Sequence, residues 1–475
     1  MQYGLLAPEI LITLLGLLLL ISGLLLPGRA KNSVGALAVC GTAGVLVLLA
    51  SQFSRQEFFF DGIYIVDSYG SFFKLLFLTA ALLVFMMAGR YTEFFGRRRS
   101  EWYSLMIFAT LGMMLMSSSG DLLTLYIGLE LMTISFYILT AYLLNDGSSA
   151  EAGLKYLILG ALSSAVLLFG ISLIYASTGS TVLKTIYTMI HSAPFAQPVL
   201  VAGIVMLIAG FGFKIAAVPF HMWALDIYQG APTPVTAYLA VASKAAAFAA
   251  LLRVLVTALP LSHFDWTLLL AVLAALTIVI GNLIALAQKN VKRLLAYSSI
   301  AQAGYILVGV AAANAYGMKG VLFYAMLYVF SNVGAFAVIT LVEQQSGSSD
   351  MEVFSGLARR APVLAAVMTV CMLSLAGIPP MAGFAGKFYL FSGAVQAGYL
   401  WLAFIGLIMS MVSVYYYLNV ARVMYIGSCG NDESLLPLRP AAWLALWVCL
   451  LGTILIGIYP EPLSQLAELA IRVLM

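Results

Sequence analysis

The sequence predicts an all-α polytopic membrane protein of about fourteen transmembrane helices. Three observations carry this expectation. Hydrophobic residues make up 63% of the chain and charged residues 9%, whereas soluble domains carry roughly 25% charged residues. Apolar runs recur along the whole length, each about 20 residues long and so able to cross a hydrocarbon core of roughly 30 Å. The runs are continuously apolar and lack the period-2 alternation of a lipid-facing barrel strand.

The runs place spans near 4–26, 33–52, 70–88, 103–119, 121–144, 154–176, 198–228, 233–258, 266–288, 293–314, 318–342, 363–393, 398–426 and 441–459. The loops between them are too short for a soluble domain. The first span is expected to be retained. A signal peptide opens with positive charge, but "MQYGLLAPEI" has Glu9 and no basic residue, and Arg29 and Lys31 follow the run.

Loop charges orient the later spans. With the N-terminus outside, thirteen basic residues fall inside: Arg29, Lys31, Arg90, Arg97, Arg98, Arg99, Lys289, Lys292, Arg293, Arg359, Arg360, Arg422 and Arg439. Only Arg55, Lys184, Lys319 and Arg472 fall outside. Cytoplasmic loops are enriched in Lys and Arg, so both termini are expected to face away from the cytoplasm, and the number of spans is expected to be even. Topology therefore accounts for the net charge of +4 without nucleic acid as a partner.

Cofactor signals are missing. Cys40, Cys371, Cys429 and Cys449 lack CxxC spacing, which argues against an iron–sulfur or zinc site. His191, His221 and His263 are dispersed, and neither GxGxxG nor a P-loop is present. The chain is expected to carry no redox cofactor and no metal.

Spans seven and twelve are too long, at 31 residues each, and each contains proline: Pro219 in "FGFKIAAVPFHMW", and Pro379 and Pro380 in "GIPPMAGFAGK". Proline removes a backbone donor and clashes with the preceding turn. The freed groups are tolerated at membrane depth only inside protein or beside a wet cavity. Both spans are thus expected to be discontinuous. Each carries a lysine, and Lys387 follows Lys214 by 173 residues. The same offset carries the start of span five, 121, to 294, at the start of span ten. Spans four to eight and nine to thirteen then match as two five-helix units. Five is odd, so the second unit is inverted, and inverted repeats with paired broken helices point to transporters. The expected organisation is an N-terminal three-helix segment (1–100), repeats over 101–260 and 261–430, and a last helix in 431–475.

Five of the charges within spans need an explanation: Glu130, Lys155, Lys214, Lys244 and Lys387. A central charge costs about 2.5–3.5 kcal/mol on insertion scales. Lysines near span ends can instead snorkel to the headgroups, which suits Lys74 and is an equal alternative for Lys155. Lys292 and Arg293 fit the positive-inside rule. Snorkelling fails for Glu130 and Lys244, the tenth and twelfth residues of their spans, because a stem of about 6 Å cannot cross half the core. Burial destabilises an ammonium and a nearby carboxylate stabilises it. A lysine held between these effects can gain and lose a proton, and a row of them joined by water is a proton relay. His221, just past Pro219, either extends the row or caps a freed carbonyl.

Four stretches carry a family resemblance: "GLELMTISFYIL" (128–139), "FKIAAVPFHMWALDIYQGAPTPVTAYLAVASKA" (213–245), "QKNVKRLLAYSSIAQAGYILVG" (288–309) and "GIPPMAGFAGKFYLF" (377–391). In order, and over nearly the whole chain, they resemble the antiporter-like membrane subunits of respiratory complex I, the proton-translocating NADH–quinone oxidoreductase. Within that family, a chain ending soon after the fourteenth span is unlike subunit L. A lysine in the twelfth span is unlike subunit M, which usually has glutamate there. The resemblance implies that Glu130 pairs with Lys214, that Lys244 is the central lysine, and that Lys387 ends the path, with Lys155 and Lys292 also involved. One departure is "LDIYQG" with Leu225 and Gln229, where the family usually reads "PD.YEG". The resemblance also implies proton pumping across the cell inner membrane, driven by redox chemistry elsewhere. NADH, FMN, iron–sulfur clusters and quinone would then sit on partner subunits, and the neighbours would include subunit M and small membrane subunits. The alternatives are a multisubunit cation/proton antiporter or membrane-bound hydrogenase subunit, and a non-conducting scaffold.

Overall fold

The computed structural model describes residues 3–25, 33–192, 198–259, 265–427 and 439–474. Arg29, Lys31, His263 and Cys429 lie outside the described residues. The chain folds as α1 (Ala7–Leu25), α2 (Ser33–Ser51), a two-stranded hairpin of β1 (Glu57–Phe59) and β2 (Tyr64–Val66), α3 (Ser68–Ala88), α4 (Arg99–Ser118), α5 (Leu122–Thr140) and α6 (Gly147–Thr178). Then come α7 (Leu183–Ser192), α8 (Pro198–Lys214), α9 (Met222–Gly230), α10 (Thr233–Tyr238), a π-helical turn (Leu239–Ser243) and α11 (Lys244–Ala258). They are followed by α12 (Thr267–Ala285), α13 (Val291–Ala311), α14 (Ala315–Ser346) and α15 (Leu357–Arg360). The chain closes with α16 (Pro362–Ala376), α17 (Ala382–Gln396), α18 (Leu400–Ile426), α19 (Pro440–Ile458) and α20 (Glu461–Ile471).

All fourteen expected spans are present as helical segments. Eleven are long and apolar enough to cross a bilayer as single helices. Spans seven and twelve divide at their prolines, into α8 with α9 and α16 with α17. The fourth, α4, opens on the charged turn Arg99–Ser100–Glu101, which lowers its apolarity. The hairpin, α7 and α20 lay outside the sequence reading.

Side-chain caps set several helix starts. Asp67, Asp121, Asp146, Asn290 and Asn314 accept backbone N–H bonds at the first turns of α3, α5, α6, α13 and α14, supplying partners the helix itself cannot. At their other ends, α6 and α14 both stop at a left-handed glycine, Gly179 (φ 70°) and Gly347 (φ 72°), a conformation that only glycine adopts without strain. These two helices have 32 residues each, about 48 Å of helix. Both exceed a hydrocarbon core of roughly 30 Å, and the spans read from hydropathy, 154–176 and 318–342, fall short of them.

Helices α3, α10, α11, α13 and α14 form the buried centre, while α1, α2, α6, α12, α18 and α19 expose apolar outer faces. Close backbone approach holds α4 on α5. A Cβ on Gly112 would lie 2.5 Å from the Gly128 carbonyl, so small residues are required on both sides of this crossing. Loop contacts follow the expected alternation. Tyr64 bridges to Ser119 and Asp121 to Val182, and the Thr267 and Tyr399 hydroxyls lie 2.6 Å apart, all in segments assigned to one side. Asn290 bridges to Asp350, Lys292 reaches the Ala231 carbonyl, and Arg439 pairs with Glu93, all in segments assigned to the other.

Candidate functional site

Each of the three central lysines sits at a helix interruption. Lys214 is the last residue of α8, Lys244 follows the π-helical turn, and Lys387 lies one turn into α17, after the second break. All three are 4% exposed. The π turn was not foreseen, although such turns frequently mark functional positions.

At the first break, Ala216 takes a left-handed conformation (φ 58°) and the chain turns through Pro219. Side chains take up the freed backbone groups. Trp223 Nε1 donates to the Phe213 carbonyl at 2.8 Å, and the Val218 N–H donates to Thr277 Oγ1 at 3.0 Å. Lys214 Nζ donates to Ser164 Oγ on α6 at 3.2 Å.

Glu130 does not form a direct ion pair with Lys214. Among the described residues, no carboxylate lies within 4 Å of Lys214, Lys244 or Lys387. Glu130 Oε2 faces Thr133 Oγ1 at 3.5 Å, and its Oε1 is buried without a hydrogen-bond partner. The expectation of a lysine balanced by an adjacent carboxylate therefore gives way to lysines held by hydroxyl and carbonyl oxygens.

Lys244 Nζ donates to both the carbonyl and the Oγ of Ser299, each at 2.9 Å. Beside it lies a cavity of about 10 Å³ lined by Ser299, Gln302 and Tyr328 among others, which is at the lower limit for one water. The hydroxyl of Tyr328, which lines it, and that of Tyr228 are buried without partners, and the Tyr228 ring centre is 5.8 Å from Nζ.

Lys387 folds back over the second break. Its Nζ donates to the Leu375 carbonyl at 3.1 Å, the Ala376 carbonyl at 3.0 Å and Ser410 Oγ at 2.7 Å, using all three donors of an ammonium. Both carbonyls belong to the end of α16, where helical carbonyls lack partners. A charge beside a helix breaker thus takes over bonds that the break sets free. A crevice of about 610 Å³ between α17 and α18 reaches Lys387 and Ser410 past Phe384, Phe388 and Met411.

The remaining candidates lie apart. Lys292 is buried and bonds the Ala231 carbonyl at 3.2 Å and Glu343 at 3.3 Å. Lys155 is not in the buried row. Helix α6 begins two turns before the expected start, and Lys155 lies at the surface, paired with Glu151 at 2.7 Å and Asp226 at 2.6 Å. His221 is buried just past Pro219, and its Nδ1 has no hydrogen-bond partner.

Some buried charges escaped the sequence reading. Lys74 does not snorkel; it is 1% exposed and pairs with Glu9 at 2.7 Å, which also accepts from the Tyr64 hydroxyl. Arg253 pairs with Asp67. Ser164, Ser299, Gln302 and Ser410 were passed over because single polar residues within apolar runs carry no periodic signal.

Comparison with known proteins accords with this geometry. Residues 119–413 match the NADH:quinone oxidoreductase/Mrp antiporter transmembrane family. The chain is 49% identical to NADH-quinone oxidoreductase subunit N of Desulforamulus reducens, over 99% of this chain and 98% of that protein. It is 51% identical to subunit N of Heliobacterium modesticaldum, over 99% of each. A chain of Thermus thermophilus respiratory complex I superposes with a TM-score of 0.83 at 35% identity, covering 97% of this chain and 99% of that one. A chain of the Mrp complex from Dietzia shares the fold (TM-score 0.85, 20% identity, 98% and 97% covered). The chain therefore belongs to the antiporter-like membrane subunits of respiratory complex I, in the family of NADH-quinone oxidoreductase subunit N.

Proposed function

We propose that this chain moves protons through Glu130, Lys214, Lys244 and Lys387, driven by redox chemistry in other subunits. The observation that carries the reading is the seating of three buried lysines at three helix interruptions, each held by neutral oxygens. A charged group is retained at such depth for a function when no ion pair explains it. Lys292 with Glu343, and Lys155 with Asp226, form the approach from the cytoplasmic side, and His221 stands at its edge. The chain carries no redox centre of its own. NADH, FMN, iron–sulfur clusters and quinone belong to partner subunits, and subunit M and small membrane subunits are its neighbours. It lies in the cell inner membrane with both termini on the periplasmic side. Residues 101–260 and 261–430 act as inverted halves. The equal lengths of α6 and α14, in corresponding positions, support that division.

The test is Lys244→Ala in the assembled complex in proteoliposomes, with NADH oxidation and proton uptake measured together. Uptake per NADH should collapse at normal assembly. Unchanged uptake would overturn the reading in favour of a scaffold. Sodium-dependent exchange by the assembled membrane subunits without NADH would instead favour a cation antiporter.

A further inference from the structure

The two carbonyls gripped by Lys387 have a second feature in common: each already has another side-chain donor. Gln302 Nε2 donates to the Leu375 carbonyl at 3.0 Å, beside the Lys387 bond at 3.1 Å. Ser410 Oγ donates to the Ala376 carbonyl at 3.0 Å, matching the Lys387 bond at 3.0 Å. Gln302 is itself fixed on all sides. Its Oε1 accepts from the Tyr324 hydroxyl, and its Nε2 also reaches the Tyr417 hydroxyl at 3.1 Å. It lines the Lys244 cavity as well, so a single side chain touches the surroundings of two row lysines.

An ammonium has three N–H donors and a neutral amine has two. When Lys387 releases a proton, one of its three acceptors must lose its bond. A buried carbonyl left without a donor pays a desolvation penalty. Here neither carbonyl can be orphaned, because Gln302 keeps one and Ser410 keeps the other.

We propose that Gln302 and Ser410 are positioning residues that serve as standby donors, allowing Lys387 to release its proton without stranding a carbonyl of the broken helix. The helix break exposes the acceptors, and the standby donors make them exchangeable. Neither residue titrates in this role, and the proton is carried by Lys387 alone. The inference rests on the proton-translocation reading given above.

The test uses the whole complex in proteoliposomes, comparing proton uptake at matched assembly. Gln302→Leu should slow uptake about fivefold, the kinetic equivalent of one lost hydrogen bond. Gln302→His keeps one donor and one acceptor and should recover most of the rate. Ser331→Ala removes a different buried hydrogen bond, the 2.8 Å contact between Ser331 and Ser374 on α16, and should leave uptake unchanged. If Gln302→Leu fails to assemble, Ser410→Ala against Ser410→Thr decides the same point, the threonine keeping the hydroxyl. Normal uptake in Gln302→Leu would overturn the inference. So would no recovery with histidine, or an equal loss in Ser331→Ala. Full uptake in Lys387→Ala would instead remove the translocation reading itself.

Discussion

The guanidinium of Arg253 on α11 grips both carboxylate oxygens of Asp67, at 2.8 and 2.9 Å, with both residues almost wholly buried. Asp67 also caps α3 through the Gly70 N–H, and Arg253 Nε donates to the Ser117 carbonyl on α4 at 3.1 Å. One pair therefore fastens α3, α4 and α11. Breaking a buried pair from one side costs about 3–5 kcal/mol, whereas replacing both partners is often close to neutral. Arg253→Met or Asp67→Asn alone should sharply lower the yield and thermal stability of the complex. The double variant should be more stable than either single variant, and a double no better than the worse single would count against the pair.

Lys74 and Glu9 offer a sharper contrast. A snorkelling lysine could be replaced by methionine at little cost. The buried pair, with Glu9 Oε2 already lacking a partner, predicts that Lys74→Met loses about 3 kcal/mol by stranding the carboxylate. Adding Glu9→Gln should restore part of that loss. Thermal unfolding of the purified complex separates the two cases.

How much of this was legible depends on the kind of signal. Apolar runs and prolines mark the fourteen spans and both breaks, because hydropathy and missing N–H groups act locally. Lys214, Lys244 and Lys387 are all buried in the protein, and that they lie within helical spans was legible for the same reason. What the lysines touch was not. Ser164 is 50 residues from Lys214 and Ser299 is 55 from Lys244, and nothing local connects them. Lys155 was left open between the row and the surface, and its partner Asp226, 71 residues away, is not a local signal. Lys74 and Arg253 were misread or missed because their partners, Glu9 and Asp67, come from other helix ends. The π turn before Lys244 is written in ordinary residues, "LAVAS", without glycine or proline, which equally suit a regular helix.

Ser299 supplies both acceptors recorded for Lys244, one from its hydroxyl and one from its backbone. Ser299→Ala removes only the first. A hydrogen bond from a charged donor contributes about 1.5–3 kcal/mol, so proton uptake should fall by roughly tenfold or more while the complex still assembles. Ser299→Thr keeps the hydroxyl and should retain most of the rate. Equal rates for the alanine and threonine variants would show that the hydroxyl does not hold Lys244 during transfer.

Lys387→Arg tests whether position 387 must release a proton or only carry charge. Guanidinium stays protonated at any accessible pH, and its planar fork presents five donors to a cradle of three oxygens. The positive charge and contact with the Leu375 and Ala376 carbonyls can persist, so the break remains covered and the complex should assemble. Release from this position is then blocked. Proton uptake, followed by dye quenching in proteoliposomes, should drop to near the level of Lys387→Ala. If charge alone were sufficient, the arginine variant would pump at close to the normal rate while the alanine variant would not. That outcome would make Lys387 a fixed electrostatic element and shift the mobile proton to Lys214 and Lys244.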